Sequence, residues 1–224
     1  MSVLDYPKLK HILSEKWAEI SCLQCQFTED FVTAMADRRM VLRAQGTLGY
    51  RKKDSAYSFR RESHSRTEIQ EAAGTNVMPA EILTLFDSQH VYEEQHVTGR
   101  KFVYIYTPHH RSVRMTIPCI HFFKFLERRG IIQDCSEQTV ENAPFYLIGL
   151  EVLQAEQSKG AQPALEVFYL HHDTGLLACE RLFDSARHEI GRRVYLNHQV
   201  NHEPFDSHYA YVKAQDVIAL PLEE

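Results

Sequence analysis

Cys22-Leu23-Gln24-Cys25 has the spacing of a redox or half-zinc motif, because two thiolates so placed can meet on a helical turn or knuckle. The strand period that begins at Leu23 sends the two thiols to opposite faces instead, and the sequence offers no second pair to complete a zinc site. They are read as structural, and no metal is assigned. The histidine pairs His109-His110 and His171-His172 flank turns, where adjacent side chains diverge and chelate poorly. Glu29, Arg43, Arg60, Glu68 and Tyr104 could converge on one face as a catalytic constellation, or be solvated cross-strand pairs. Gly-x-Ser-x-Gly, P-loop, His-Glu-x-x-His and Rossmann fingerprints do not occur, so no catalytic residue and no cofactor is assigned.

Apolar and basic residues carry the stronger signal. Phe27, Tyr57, Phe59, Phe102, Tyr104, Tyr106, Phe122, Phe123 and Phe168 could line a cavity for an acyl chain or a flat apolar ligand. The same rings could equally fill an ordinary core. Alternate residues of a strand share a face, which groups Phe102, Tyr104 and Tyr106. At about 0.8 kcal/mol per buried methylene, a chain of about ten methylenes gains about 8 kcal/mol before ordering costs, so a charged anchor is not needed for useful affinity. Arg51-Lys52-Lys53 offers a basic rim for a carboxylate or lipid headgroup, or simply a solvated turn.

The elements that must position these groups follow from periodicity. Leu9, Ile12, Leu13, Trp17 and Ile20 recur at helical spacing over residues 7–20, with Asp5 as a candidate cap. Leu23, Cys25, Phe27, Glu29 and Phe31 then alternate as a strand, and residues 40–50 continue as its partner, with Gly46 and Gly49 as bulge or close-approach points. Residues 51–55 are expected as a turn, 56–61 as a short strand, 66–71 as a weaker one and 72–79 as a loop. Residues 82–86 and 90–96 flank Asp87-Ser88-Gln89, and Thr98-Gly99-Arg100 turns the chain into strand 101–106. Around Pro118 the period returns to helical, through Ile120, Phe123, Phe125, Leu126 and Ile131, closed by Gly130. Residues 145–153 resume the sheet. Asp173-Thr174-Gly175 joins strands 165–171 and 177–183, a turn at 184–191 leads to strand 192–196, and 201–205 is an exit loop. Strands joined by short polar turns make a meander.

The chain of 224 residues carries 25 Lys+Arg against 30 Asp+Glu, a formal net charge of -5, which provides no basic footprint for nucleic acid. Its 44% hydrophobic content supports a real core, and without a Pro/Gly/Ser-rich linker one domain over 1–224 is expected. No apolar run approaches the ~20 residues of a bilayer span. Five cysteines leave at least one thiol outside any intramolecular disulfide and lean toward a reducing compartment. Met1 as the native start implies a cytoplasmic protein, and a removed signal segment a periplasmic one.

The order of elements resembles the LolA/LolB lipoprotein-carrier superfamily. Three stretches carry the resemblance: Ile20-Ser21-Cys22-Leu23-Gln24-Cys25-Gln26-Phe27-Thr28-Glu29 at the helix-to-strand junction; Ala44-Gln45-Gly46-Thr47-Leu48-Gly49-Tyr50-Arg51-Lys52 with Tyr57-Ser58-Phe59-Arg60; and Asp173-Thr174-Gly175-Leu176-Leu177 through Phe183-Asp184 to Asn201-His202-Glu203-Pro204-Phe205-Asp206. The family's Arg-Pro turn is Lys52-Lys53 here, and its Asp-Gly hairpin is Asp87-Ser88. The resemblance implies an α+β fold: a strongly curved antiparallel sheet forming an incomplete (half) β-barrel, with the N-terminal helix and the mid-chain helical segment as a lid. It implies a non-enzymatic carrier of a lipid or lipidated protein, with a peripheral membrane encounter. Leu48 joins the aromatic set as ligand-binding, with Arg51 and Lys52 as headgroup contacts. An enzyme acting on a small aromatic or acyl substrate in the same cavity, and a packed interaction module without ligand, are the alternatives.

Overall fold

The computed structural model describes residues 2–34, 38–53, 56–87, 90–106, 122–153, 163–202, 209 and 219–221. Among these the strands hydrogen-bond in the order β1-β8-β9-β10-β11-β12-β2-β3-β4-β5-β6-β7-β13, an antiparallel sheet to which β13 adds in parallel. Its two end strands have one neighbour each, so the sheet is not closed. The chain forms two compact units. The first comprises Met1–Ile20, Glu29–Val41 and Met115–Tyr195, and the second Ser21–Thr28, Leu42–Arg114 and Leu196–Glu224.

In the first unit, α1 (Tyr6–Ala18) buries Leu9, Leu13 and Trp17, spaced four apart on one stripe. Asp5 stands at the N-cap as expected but makes no side-chain cap bond; its backbone carbonyl accepts from Leu9 N at 3.0 Å. β8 (Gly130–Val140), β9 (Ala143–Val152), β10 (Leu165–His171), β11 (Leu177–Phe183) and β12 (Glu189–Val200) form the meander, and β1 (Ser2–Val3) pairs with β8. The hairpin of β10 and β11 falls on the expected residues. Gly175 turns at φ +70, and a Cβ on it would lie 2.8 Å from Leu13 and 3.0 Å from Trp17 Nε1. Trp17 Nε1 donates to the Gly175 carbonyl at 3.2 Å, so the turn glycine is also the seat of α1.

The mid-chain helix, α2, is described over Phe122–Arg129. Gly130 ends it, but Ile131 belongs to β8, a strand the periodicity missed because its polar run is broken by a register shift between Ile132 and Asp134. Pro118 and Ile120 lie outside the described residues.

The second unit holds most of β3 (Arg38–Lys53), then β4 (Ala56–Glu71), β5 (Gly74–Phe86), β6 (Val91–Val97), β7 (Arg100–Tyr106) and β13 (Ala219–Pro221). Three expectations change here. Arg51-Lys52-Lys53 continues β3 rather than turning. The short strand at 56–61 and the weak one at 66–71 are one strand, β4, and the loop expected at 72–79 is largely β5. Gly74 closes that hairpin at φ +140, and its register runs unbroken from Phe59↔Phe86 to Glu71↔Gly74. Pro79 is tolerated because β6 pairs only from Ala80 onward, leaving Pro79 a single neighbour, Arg66 of β4. The reversal at Thr98-Gly99 takes φ values of 49 and 77, a two-residue turn suited to strand twist.

β2 (Cys22–Ala34) shows the expected alternation, burying Leu23, Cys25, Phe27 and Glu29. Asn201, at the exit, accepts from Ser21 N at 2.8 Å through its side-chain oxygen and turns at φ 57.

Candidate ligand-binding site

Strand parity gathers the sequence-selected rings of the second unit onto one face. On β4, Tyr57, Phe59 and Arg61 share a side, and register continues that side to Phe86 on β5 and to Tyr104 and Phe102, opposite Glu93 and Gln95. Tyr57 lies 4.9 Å from Phe86 and 6.4 Å from Tyr50, which brings Tyr50 and Leu48 of β3 to the same side. Phe27 joins them under the Arg61 guanidinium, 4.8 Å from its ring centroid. Phe27, Leu48, Tyr50, Phe59 and Phe86 are buried, whereas Tyr57, Phe102 and Tyr104 are half-buried. Tyr106 ends β7, where its backbone pairs with Val91. The face thus grades from sealed rings to partly open ones.

Arg51 and Lys52 leave β3 on opposite sides, because consecutive strand residues alternate. The Arg51 guanidinium stacks 5.0 Å from the Tyr209 ring, and burial pushes the Tyr209 phenol up. Lys52 is exposed.

On the other side of these strands Gly49 floors a hollow of about 210 Å³. Gln24, Gln26, Thr47, Arg60, Asn197 and Gln199 surround it, and Asn197 Nδ2 donates to Gln26 Oε1 at 2.8 Å. Cys25 and Leu48 also line it, so four carboxamides share its walls with apolar groups.

Phe122, Phe123 and Phe168 belong to the first unit, where they seat the helices. Trp17 lies 5.9 Å from Phe122 and 5.1 Å from Phe123, and Phe122 meets Phe168 edge-on at 5.4 Å. The same unit buries a charged network of which the sequence reading singled out only Glu29. Arg193 donates from Nε to Glu29 at 2.5 Å and from Nη1 to Glu180 at 2.6 Å, and Arg129 Nε donates to both Glu166 oxygens at 2.8 Å. Burial pushes the Glu180 carboxyl above the usual range, against the pull of Arg193, and the carboxylates of Glu166 and Glu29 add to the rise. The available signal was phase: Glu166 alternates with Phe168 and Leu170, and Glu180 with Leu182, which assigns both carboxylates to the apolar side of their strands.

Of the possible catalytic constellation, Arg43 and Glu68 meet as a cross-strand pair. Glu29 binds Arg193, Arg43 Nη1 reaches Glu68 at 3.4 Å, Arg60 binds Glu62, and Tyr104 points to the face opposite Arg60. Cys22 and Cys25 are buried thiols outside any disulfide, three apart on one strand, with Cys22 Sγ donating to the His202 carbonyl at 3.0 Å. His172 stacks on Tyr146 at 4.7 Å, and burial pulls the His171 imidazole down. His109, His110 and Cys119 lie outside the described residues.

An open antiparallel sheet with two helices is the class that this fold defines. A crystal structure of an uncharacterized conserved protein from Thermus thermophilus shares it: 8% identity, TM-score 0.52, covering 95% of this chain and 99% of that one. Structural neighbours also include a putative outer membrane lipoprotein-sorting protein domain from Vibrio parahaemolyticus, with 6% identity and TM-score 0.41 over 90% of this chain and 94% of that one. The LolA superfamily protein NE2245 from Nitrosomonas europaea is another, with 10% identity and TM-score 0.28 over 90% and 97%. No protein-family model and no curated protein matches the chain.

Proposed function

We propose that this protein is a non-enzymatic carrier that shelters an apolar ligand, a lipid or the acyl part of a lipidated protein, against the aromatic face of its second unit. The observation that carries this reading is the grading of that face: Tyr57, Phe102 and Tyr104 stay half-buried beside sealed Phe27, Leu48 and Phe59. Half-buried rings can exchange water for acyl carbon, and each methylene transferred contributes about 0.8 kcal/mol. A strongly curved, half-barrel course of the sheet belongs to the same reading. Lys52, exposed on β3, is the better placed of the two basic residues to meet a headgroup. Each unit is assembled from three separate segments, which favours the whole chain acting as one functional domain.

The test is uptake of a fluorescent fatty-acyl probe by the delipidated chain, followed by native mass spectrometry. Saturable uptake that Phe102→Ala or Tyr104→Ala weakens supports the carrier. A chain that takes up no probe and retains no small molecule on purification is not a carrier of this kind.

A further inference from the structure

Opposite the aromatic face, four strands that neighbour one another in the sheet, β12, β2, β3 and β4, surround the hollow over Gly49. Asn197 and Gln199 come from β12, Gln24 and Gln26 from β2, Thr47 from β3 and Arg60 from β4, and all belong to the second unit. β2 buries Leu23, Cys25 and Phe27, so its period of two turns Gln24 and Gln26 the other way. Gly49 carries no side chain, which keeps the floor low.

Two of the carboxamides fix each other. Asn197 Nδ2 donates to Gln26 Oε1 at 2.8 Å, and Asn197 holds a left-handed backbone at φ 55, a conformation that asparagine tolerates better than most residues. The bond commits one donor and one acceptor. Among the described residues nothing else engages the Gln26 Nε2 donors or the Asn197 Oδ1 acceptor. A hydroxyl group both donates and accepts, so neighbouring hydroxyls of one ligand complement such a pair. Gln24, Gln199 and Thr47 add further groups of both kinds.

The surroundings favour a neutral guest. No carboxylate or imidazole is among the described residues that line the hollow, and the Arg60 guanidinium is held by Glu62, with Nε at 2.6 Å. Cys25 and Leu48 offer apolar surface to the C–H groups of a ring. A volume of about 210 Å³ falls below the range of about 300–1,000 Å³ for drug-sized ligands and suits a single ring.

We propose that this hollow binds one uncharged hexopyranose unit, with Gln26 and Asn197 engaging adjacent ring hydroxyls and Leu48 and Cys25 contacting its carbon face. The site lies on the other side of the sheet from the aromatic face and does not depend on the carrier reading.

NMR titration of the full ¹⁵N-labelled chain with D-glucose, D-galactose, D-mannose and N-acetyl-D-glucosamine tests it. At least one sugar should shift the Gln26 and Asn197 side-chain amide signals saturably, with a Kd of about 1 mM, as a small ligand with few contacts allows. Gln26→Ala and Asn197→Gly should each weaken that binding by about fivefold or more, the glycine keeping the left-handed backbone, and Gln133→Ala, which removes an exposed carboxamide of the first unit, should leave it unchanged. Unchanged signals elsewhere in the spectrum verify that these substitutions leave the fold intact. Absence of saturable shifts up to about 50 mM of every sugar, or binding that Gln26→Ala and Asn197→Gly do not alter, overturns the proposal. Tighter binding of D-glucuronate than of D-glucose also overturns it, because the guest would then be an anion read by Arg60.

Discussion

Arg129, in the last turn of α2, clasps Glu166 of β10 with Nε 2.8 Å from each carboxylate oxygen, and both side chains are almost wholly buried, at 7% and 1% exposure. A buried pair is costly to break from one side, because the remaining charge loses its counter-ion in a poorly solvating interior. Glu166→Ala or Arg129→Ala should therefore destabilise the protein by about 3–5 kcal/mol in urea unfolding. Arg129→Met with Glu166→Leu should lie much closer to the parent, and a double mutant as unstable as the singles would show that packing rather than charge is at stake.

Glycines at two positions should respond very differently to alanine. A Cβ on Gly46 would sit 1.8 Å from the Glu62 carbonyl oxygen, a backbone atom that cannot move without disturbing β4. Gly46→Ala should cost about 3 kcal/mol or more, or prevent folding. Gly99 meets nothing within 4 Å but turns at φ +77, so Gly99→Ala should cost only about 1–2 kcal/mol. Thermal unfolding of both variants checks the order.

Asp184 gives the turn after β11 an acid-side dependence. The backbone N–H of His188 donates to Asp184 Oδ1 at 2.9 Å and holds the carboxyl below its usual range, with the His188 ring adding to the effect. The folded carboxyl binds its proton less readily than the unfolded one. Its stabilisation is therefore present above the ordinary value of about 3.9 and is lost as pH falls toward the depressed value. Asp184→Asn should flatten that part of the stability profile. His188→Ala should keep most of the shift in an NMR titration of Asp184, because the leading donor is main chain.

Burial should also silence the thiols. It pushes Cys25 up to about 12 and Cys135 up to about 11, so neither forms appreciable thiolate near neutrality. Iodoacetamide at about pH 8 should leave both unmodified in the folded protein and label both in denaturant, as peptide mass spectrometry would reveal. Rapid native labelling of Cys25 would mean that the buried face of β2 opens readily.

The local pattern was legible where side chains alternate cleanly and a turn residue punctuates them. β2, β10, β11 and the Thr98-Gly99 hairpin lie where periodicity puts them. It was illegible where pairing overrides composition. Residues 72–79, expected as a loop, contain Pro79, yet they complete a hairpin because the chain reverses between the paired Glu71 and Gly74 and β4 supplies each β5 residue with a partner. β8 escaped notice for the same reason, its polar run being held by β9.

By itself the sequence determined the strand faces, since a period of two fixes which rings share a side, and it marked Gly46 as a bulge or a close approach, of which the Glu62 carbonyl selects the second. Only the tertiary structure decided how those rings divide, with Phe122, Phe123 and Phe168 seating helices while Tyr57, Phe102 and Tyr104 stay half-open. It alone joined Glu29 to Arg193 across 164 positions. Local preferences act over a few residues, whereas these contacts depend on strand register between distant segments, which no short stretch of chain encodes.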